Sequence, residues 1–291
     1  MNSSKRLLIC ILSSLLLVSL YTQCEARNRA TPHPIYFNDK WAVCIGINEF
    51  QDSSWNLKYA SSDADRFHDY LVQHANFAND HIKVLNHAAS KATIEQSLAW
   101  LATVARPEDL AVIFIRTRGT YAELDPQKRN YLALCDTNPK SVASTAIQME
   151  NLMEILAQKI HARSIVLIAD ADFSDVIMRG QVGHGGIPFG DGFGPLQTGQ
   201  SMLVIPSAGI KEICWESDAY HSSVFTHALI DALQARGPSA ELLGTAETIR
   251  EQIKNDVSNI RRHRTQNIET CGLYNGGGDT LMLATPAAHP H

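Results

Sequence analysis

Two short polar turns carry the side chains of this chain best suited to chemistry. The apolar run Leu110–Ile115 leads into Arg116, Thr117, Arg118 and Gly119, and the run Ser164–Ala169 leads into Asp170, Ala171, Asp172, Phe173, Ser174 and Asp175. A guanidinium stays protonated in proteins, so Arg118 can hold a carboxylate but cannot act as a base. Facing Asp172, it would form a charge-assisted ion pair. Taken singly, Arg118 also fits a solvated loop charge and Asp172 a helix-capping carboxylate. Asp170, Asp172 and Asp175 are hard oxygen donors of the kind that hold magnesium, which makes a metal-dependent enzyme one alternative. Against it stand the weakness of a short acidic turn as a motif and Arg118 close by, which repels a cation. A third polar segment follows the apolar run Met202–Pro206 and contains Ser207, Glu212, Cys214 and Glu216. Cys214 with His221 or His184 is the thiol and imidazole combination that nucleophilic catalysis could use, but it lies beyond a different apolar run from both turns. Ser174 has no base in view, and His68, His74, His81, His87, His161, His227 and His263 read as surface or local hydrogen-bonding residues.

Short apolar runs alternating with amphipathic ones must position these turns. Trp41–Ile47, Ile82–Leu85, Leu110–Ile115, Ser164–Ala169 and Met202–Pro206 are rich in Val, Ile and Leu with little alternation, as in strands covered on both faces. Between them the pattern predicts helices over Asp63–His74, Thr93–Ala105 with Thr93 as cap, Ala146–Lys159, Ser223–Gln234 and Ala246–Arg261. Strand, helix, strand order predicts an α/β fold built on a parallel-rich sheet, and in such sheets ligands gather beyond the carboxyl ends of the strands. Both polar turns fall there. One domain over residues 40–284 is expected, with tails at 27–39 and 285–291. The glycine-rich stretch Gly180–Gly199 lacks the Gly-Lys-Ser/Thr ending of a phosphate loop and reads as a surface loop, and Arg261–Arg264 as a solvated helix end.

Composition narrows the classes further. The 291 residues are 45% hydrophobic and 19% charged, with 25 Lys and Arg against 30 Asp and Glu, so the net charge is -5. That is a globular composition, and the acidic balance gives no support to a nucleic-acid partner. Lys5 and Arg6 precede the apolar run Leu7–Leu20, and Cys24-Glu25-Ala26 puts small residues at the usual cleavage positions, so residues 1–26 read as a signal peptide. The run is shorter than the roughly 20 residues of a membrane span, so the mature chain is expected to be exported, secreted or periplasmic, without a stable span. Acylation at Cys24 would anchor it as a lipoprotein, but Gln23 sits where such sites want a small residue. Cys44, Cys135, Cys214 and Cys271 would remain, with no ligand spacing for zinc. Cys44 reads as a buried thiol, and Cys214 with Cys271 as the bridge to expect if one forms. No cofactor is expected.

The order of these segments resembles the caspase-like cysteine peptidases, more closely the bacterial and metacaspase-type branch. The resemblance runs from Trp41 to Ala284. It rests on Trp41–Phe50 with its Gly46-Ile47-Asn48, on Ser62-Asp63-Ala64, on Ala92-Thr93-Ile94 and on Tyr131–Asp136. It continues in Ser207-Ala208-Gly209, Phe225–Leu229, Gln266-Asn267 and Gly276–Thr280. It implies a three-layer sandwich with a mostly parallel sheet of about six strands and helices on both faces. In that family a His in Ser-Gly-His-Gly and a Cys in Asp-x-Cys-His-Ser-Gly form the catalytic dyad. Here Arg118 falls at the His position and Asp172 at the Cys position. Neither supplies a thiolate or a base titrating near neutrality. The resemblance therefore implies a catalytically degenerate member, a pseudopeptidase serving as a binding or scaffold module, with a residual or altered cysteine-type endopeptidase as the alternative. Asp170 falls where metacaspase-like enzymes use acid to prefer basic side chains, and with Ser207, Glu212 and Glu216 it makes the candidate pocket. The expected partner is a protein or a basic peptide.

Overall fold

The computed structural model describes residues 35–86, 89–120, 122–149, 151–172, 200–209, 212–260, 264–267, 271–274 and 281–284. The signal-peptide segment, Cys24, Ser174, Asp175, His184, the glycine-rich stretch 180–199 and Arg261–His263 lie outside them.

Five parallel strands form the centre: β1 (Lys40–Gly46), β2 (Ile82–Asn86), β3 (Leu110–Arg116), β6 (Ser164–Asp170) and β7 (Ser201–Pro206). A sixth, β10 (Cys271–Tyr274), adds antiparallel to β7, giving the order β10-β7-β6-β3-β1-β2. Two small hairpins lie outside this sheet: β4 (Tyr131–Leu132) with β5 (Ile147–Gln148), and β8 (Glu216–Ser217) with β9 (Ser222–Ser223).

Alternate residues of each strand feed two apolar layers. On one side Ala42, Cys44, Val112, Phe114, Val166, Ile168, Leu203 and Ile205 meet Phe67 and Leu71 of α1 (Ala60–His74). The same layer receives Phe225, Leu229 and Leu233 of the later α5 (Val224–Arg236), together with α6 (Leu242–Thr248) and α7 (Arg250–Ile260). On the other side Val43, Ile45, Ile113, Ile165, Leu167 and Val204 meet Ile94, Leu98 and Leu101 of α2 (Lys91–Val104) and Leu152 and Leu156 of α4 (Leu152–Lys159). Burial on both faces is why these strands read as continuous apolar runs. The expected three layers with helices on both faces are present.

Local differences have local causes. α1 starts at Ala60 rather than Asp63, and α2 is capped by Ser90, whose Oγ accepts the Thr93 N–H at 3.2 Å, so Thr93 lies inside the helix. The helix expected over Ala146–Lys159 is shortened at its start: Ile147 and Gln148 form strand β5 and α4 begins only at Leu152, while a separate turn, α3 (Val142–Thr145), lies just before the expected range. Pairing with Tyr131–Leu132 claims Ile147 and Gln148 for a hairpin. The helix expected over Ala246–Arg261 breaks at Ile249 into α6 and α7. Residues 35–39, expected as tail, belong to the core: Ile35 and Phe37 are buried, and the Asn38 N–H donates to the Glu108 carbonyl at 3.1 Å.

Candidate functional site

The carboxyl ends of β3 and β6 lie side by side because the ladder pairs Arg116 with Asp170. Past that pair the Thr117 N–H still donates to the Asp170 carbonyl at 3.2 Å. Gly119 then passes so close that a Cβ there would stand 1.9 Å from the Asp172 carbonyl oxygen, which is why only glycine fits. The Ala133 N–H donates to the Arg118 carbonyl at 2.8 Å and fixes the other side of the turn. These contacts set Arg118 and Asp172 face to face, with Arg118 Nη1 3.3 Å from Asp172 Oδ2. Arg118 Nε donates to the Trp55 carbonyl at 3.0 Å, and the second oxygen of Asp172 accepts the Cys214 N–H at 2.7 Å. Asp172 is nearly enclosed, while Arg118 keeps 27% of its side chain in water. Burial pushes the Asp172 carboxyl above its usual range, against Arg118 and the Cys214 amide, which favour its charge.

A second charged group lies directly behind, and sequence reasoning treated it only as part of a polar turn. Arg116 is fully buried. Its three nitrogens each face a different carboxylate: Nε is 3.8 Å from Asp63 at the start of α1, Nη1 3.5 Å from Asp170 ending β6, and Nη2 3.5 Å from Glu216 in β8. Nη1 also donates to the Asp170 carbonyl at 3.2 Å. Asp63 in turn accepts the Ser222 hydroxyl and the Ser223 N–H, and Asp170 accepts the hydroxyls of Ser223 and Thr226. Glu216 accepts the Lys58 and Tyr59 N–H groups, each at 3.0 Å. Burial pushes the Asp63 carboxyl up to about 7; Arg116 opposes the shift and Asp170 adds to it. Burial works against the Arg116 guanidinium, but the carboxylates of Asp170, Glu216 and Asp63 together raise it above its ordinary value. The signal was available: Arg116 continues a strand covered on both faces, where a charge needs a carboxylate partner.

The candidate pocket residues are engaged internally. Asp170 and Ser207 are both fully buried, so neither forms the wall of an open pocket as expected. Glu212 binds the Gly209 and Asn267 N–H groups and the Thr265 hydroxyl, stitching the turn after β7 to residues 265–267. The Gln266 side chain donates to the Ser207 carbonyl at 2.9 Å and accepts the Trp215 N–H at 3.1 Å. Cys214 is a free, buried thiol sharing a hydrogen bond with Ser207 Oγ at 2.8 Å, so it takes part in no bridge. Burial beside Asp170 and Asp172 holds that thiol well above its usual range, so it is neither exposed nor ionised. His221 is exposed and set edge-on to Tyr59 instead. Cys44 is a buried free thiol. Asp170 and Asp172 turn to different partners, and among the described residues no group of three or more His, Cys, Asp or Glu could hold a metal ion.

The fold around these turns has counterparts. Caspase-1 from Spodoptera frugiperda superposes with a TM-score of 0.59 at 14% identity, covering 90% of this chain and 96% of that one. A protein from Geobacter sulfurreducens gives 0.58 at 13% identity, covering 82% and 95%. No curated protein matches the sequence. The model of the caspase domain matches residues 39–272, which takes in all five parallel strands of the central sheet, the start of β10 and both polar turns. With that span and that sheet, the chain belongs to the caspase-domain family.

Proposed function

We propose that this chain is a non-catalytic caspase-fold module, exported after cleavage near Ala26, that works by binding a protein partner. The observation that carries the reading is the Arg118–Asp172 contact at 3.3 Å, at the two positions where the family resemblance puts base and nucleophile. A guanidinium cannot accept the proton that nucleophilic attack must release, and a carboxylate is a poor attacker of an amide. Each group holds the other, and the Cys214 amide holds Asp172 as well. Removal of a general base alone typically slows such reactions by about 10²–10⁴-fold, and here the nucleophile is missing too. Cys214, whose amide reaches Asp172, has a buried, protonated thiol.

A mixed-sequence peptide library read by mass spectrometry, with and without calcium, tests this. The unaltered chain is compared with the double variant Arg118→His, Asp172→Cys. Cleavage is expected in the double variant only. Cleavage by the unaltered chain would overturn the reading.

A further inference from the structure

Asp63, Asp170 and Glu216 come from a helix start, a strand end and a hairpin, three elements far apart in sequence, yet all converge on one fully buried guanidinium. Three acidic groups around one cation are more than charge balance requires. The fit is also loose. The nitrogen-to-oxygen separations are 3.5–3.8 Å, and neither Arg116 Nε nor Nη2 nor Asp170 Oδ1 makes a hydrogen bond, although all are buried. Each nitrogen nevertheless faces its own carboxylate, an arrangement that suits a flat, three-nitrogen cation and not a compact ammonium. Glu216 forms the outer wall and keeps 17% of its side chain exposed, whereas Arg116, Asp63 and Asp170 have none.

We infer that these carboxylates form a guanidinium site whose occupant is the chain's own Arg116, so that the site is closed to the arginine side chains of other molecules and becomes a guanidinium-binding cavity when Arg116 is truncated. The charge of Asp170 and Glu216 is directed inward onto Arg116, and an outside ligand would have to displace a covalently tethered competitor. Truncation at Cβ leaves a carboxylate-lined space reached from the Glu216 side. This inference is independent of the reading of Arg118 and Asp172, since it invokes neither residue.

The test is thermal unfolding and calorimetric titration of Arg116→Ala with methylguanidinium at millimolar concentration. The same amounts of methylammonium and sodium chloride are the comparison. The variant is expected to melt several degrees below the unaltered chain and to recover at least half of that loss as methylguanidinium is raised, with one molecule bound per chain. The unaltered chain should not shift, and adding Asp170→Asn should weaken the recovery at least severalfold. If Arg116→Ala accumulates only as inclusion bodies, refolding yield against methylguanidinium replaces the melt, and a yield that rises with it and not with methylammonium supports the site. No response of the variant, an equal response of the unaltered chain, or an equal response to methylammonium or salt would overturn the inference. No peptidase readout enters, so its failure leaves the non-catalytic reading standing, and cleavage by the unaltered chain would remove that reading alone.

Discussion

Arg118 presents a cation that does not titrate, and Asp172 opposite it is almost enclosed, so the pair is unequal: the carboxylate depends on its partner more than the guanidinium does. Arg118→Met should therefore cost about 1–3 kcal/mol, because it leaves a buried carboxylate short of a donor. Asp172→Asn, which keeps an acceptor for the Cys214 amide, should cost less; urea unfolding of the two variants gives the ranking. Gly119 is constrained more tightly. A methyl at 1.9 Å from the Asp172 carbonyl forces the two turns apart, so Gly119→Ala should lower stability by about 3 kcal/mol or more in the same measurement. Asp63 gives a pH dependence. Its carboxyl is raised from 3.8 to about 7 on folding, so the folded chain binds that proton more tightly than the unfolded one. The resulting stabilisation is complete below pH 3.8 and is lost as pH rises to about 7. Asp63→Asn should flatten that part of the stability profile, and an unchanged slope would show that another group sets it.

The strands were legible because Val, Ile and Leu fill both faces of each, and every predicted strand lies within a residue or so of its observed bounds. That single residue matters. Strands β3 and β6 run on to Arg116 and Asp170, which places two charged side chains inside the sheet's ladder rather than in its loops. Periodicity could not show this, since a buried ion cluster depends on Asp63 and Glu216, residues brought in by distant elements. The β4–β5 hairpin was missed for a related reason: Ile147 and Gln148 carry no strand signal of their own and pair only because Tyr131–Leu132 lies alongside. Helix α5 shows how closely the charge cluster is tied to an element. Ser223 caps it through the Thr226 N–H at 2.9 Å, and its hydroxyl donates to Asp170. Ser223→Ala should cost about 2–3 kcal/mol, more than a surface cap, and should speed hydrogen exchange at the Thr226 amide.

Across the whole molecule the caspase-domain match begins at residue 39, but the core begins earlier. Phe37 is 1% exposed and belongs to the same apolar layer as α1 and α5. Phe37→Ala should cost about 3–5 kcal/mol, as a core truncation does, and a loss of a few tenths in urea unfolding would return this segment to the status of a tail. The layered fold could be read from the sequence because two-sided burial leaves its mark on every strand. Of the site, the facing of Arg118 and Asp172 followed from the adjacent strand ends, whereas the internal use of Asp170, Ser207 and Glu212 did not, because it is set by loops that close over them. The central claim is that the charges at the strand ends are directed at one another and leave no attacking group for a peptide bond. Its most direct test is a single-turnover incubation of the unaltered chain, in excess over a mixed peptide library, with products counted by mass spectrometry. No bond should be cut faster than in buffer, and cutting that disappears in Asp172→Asn or Cys214→Ser would contradict the account.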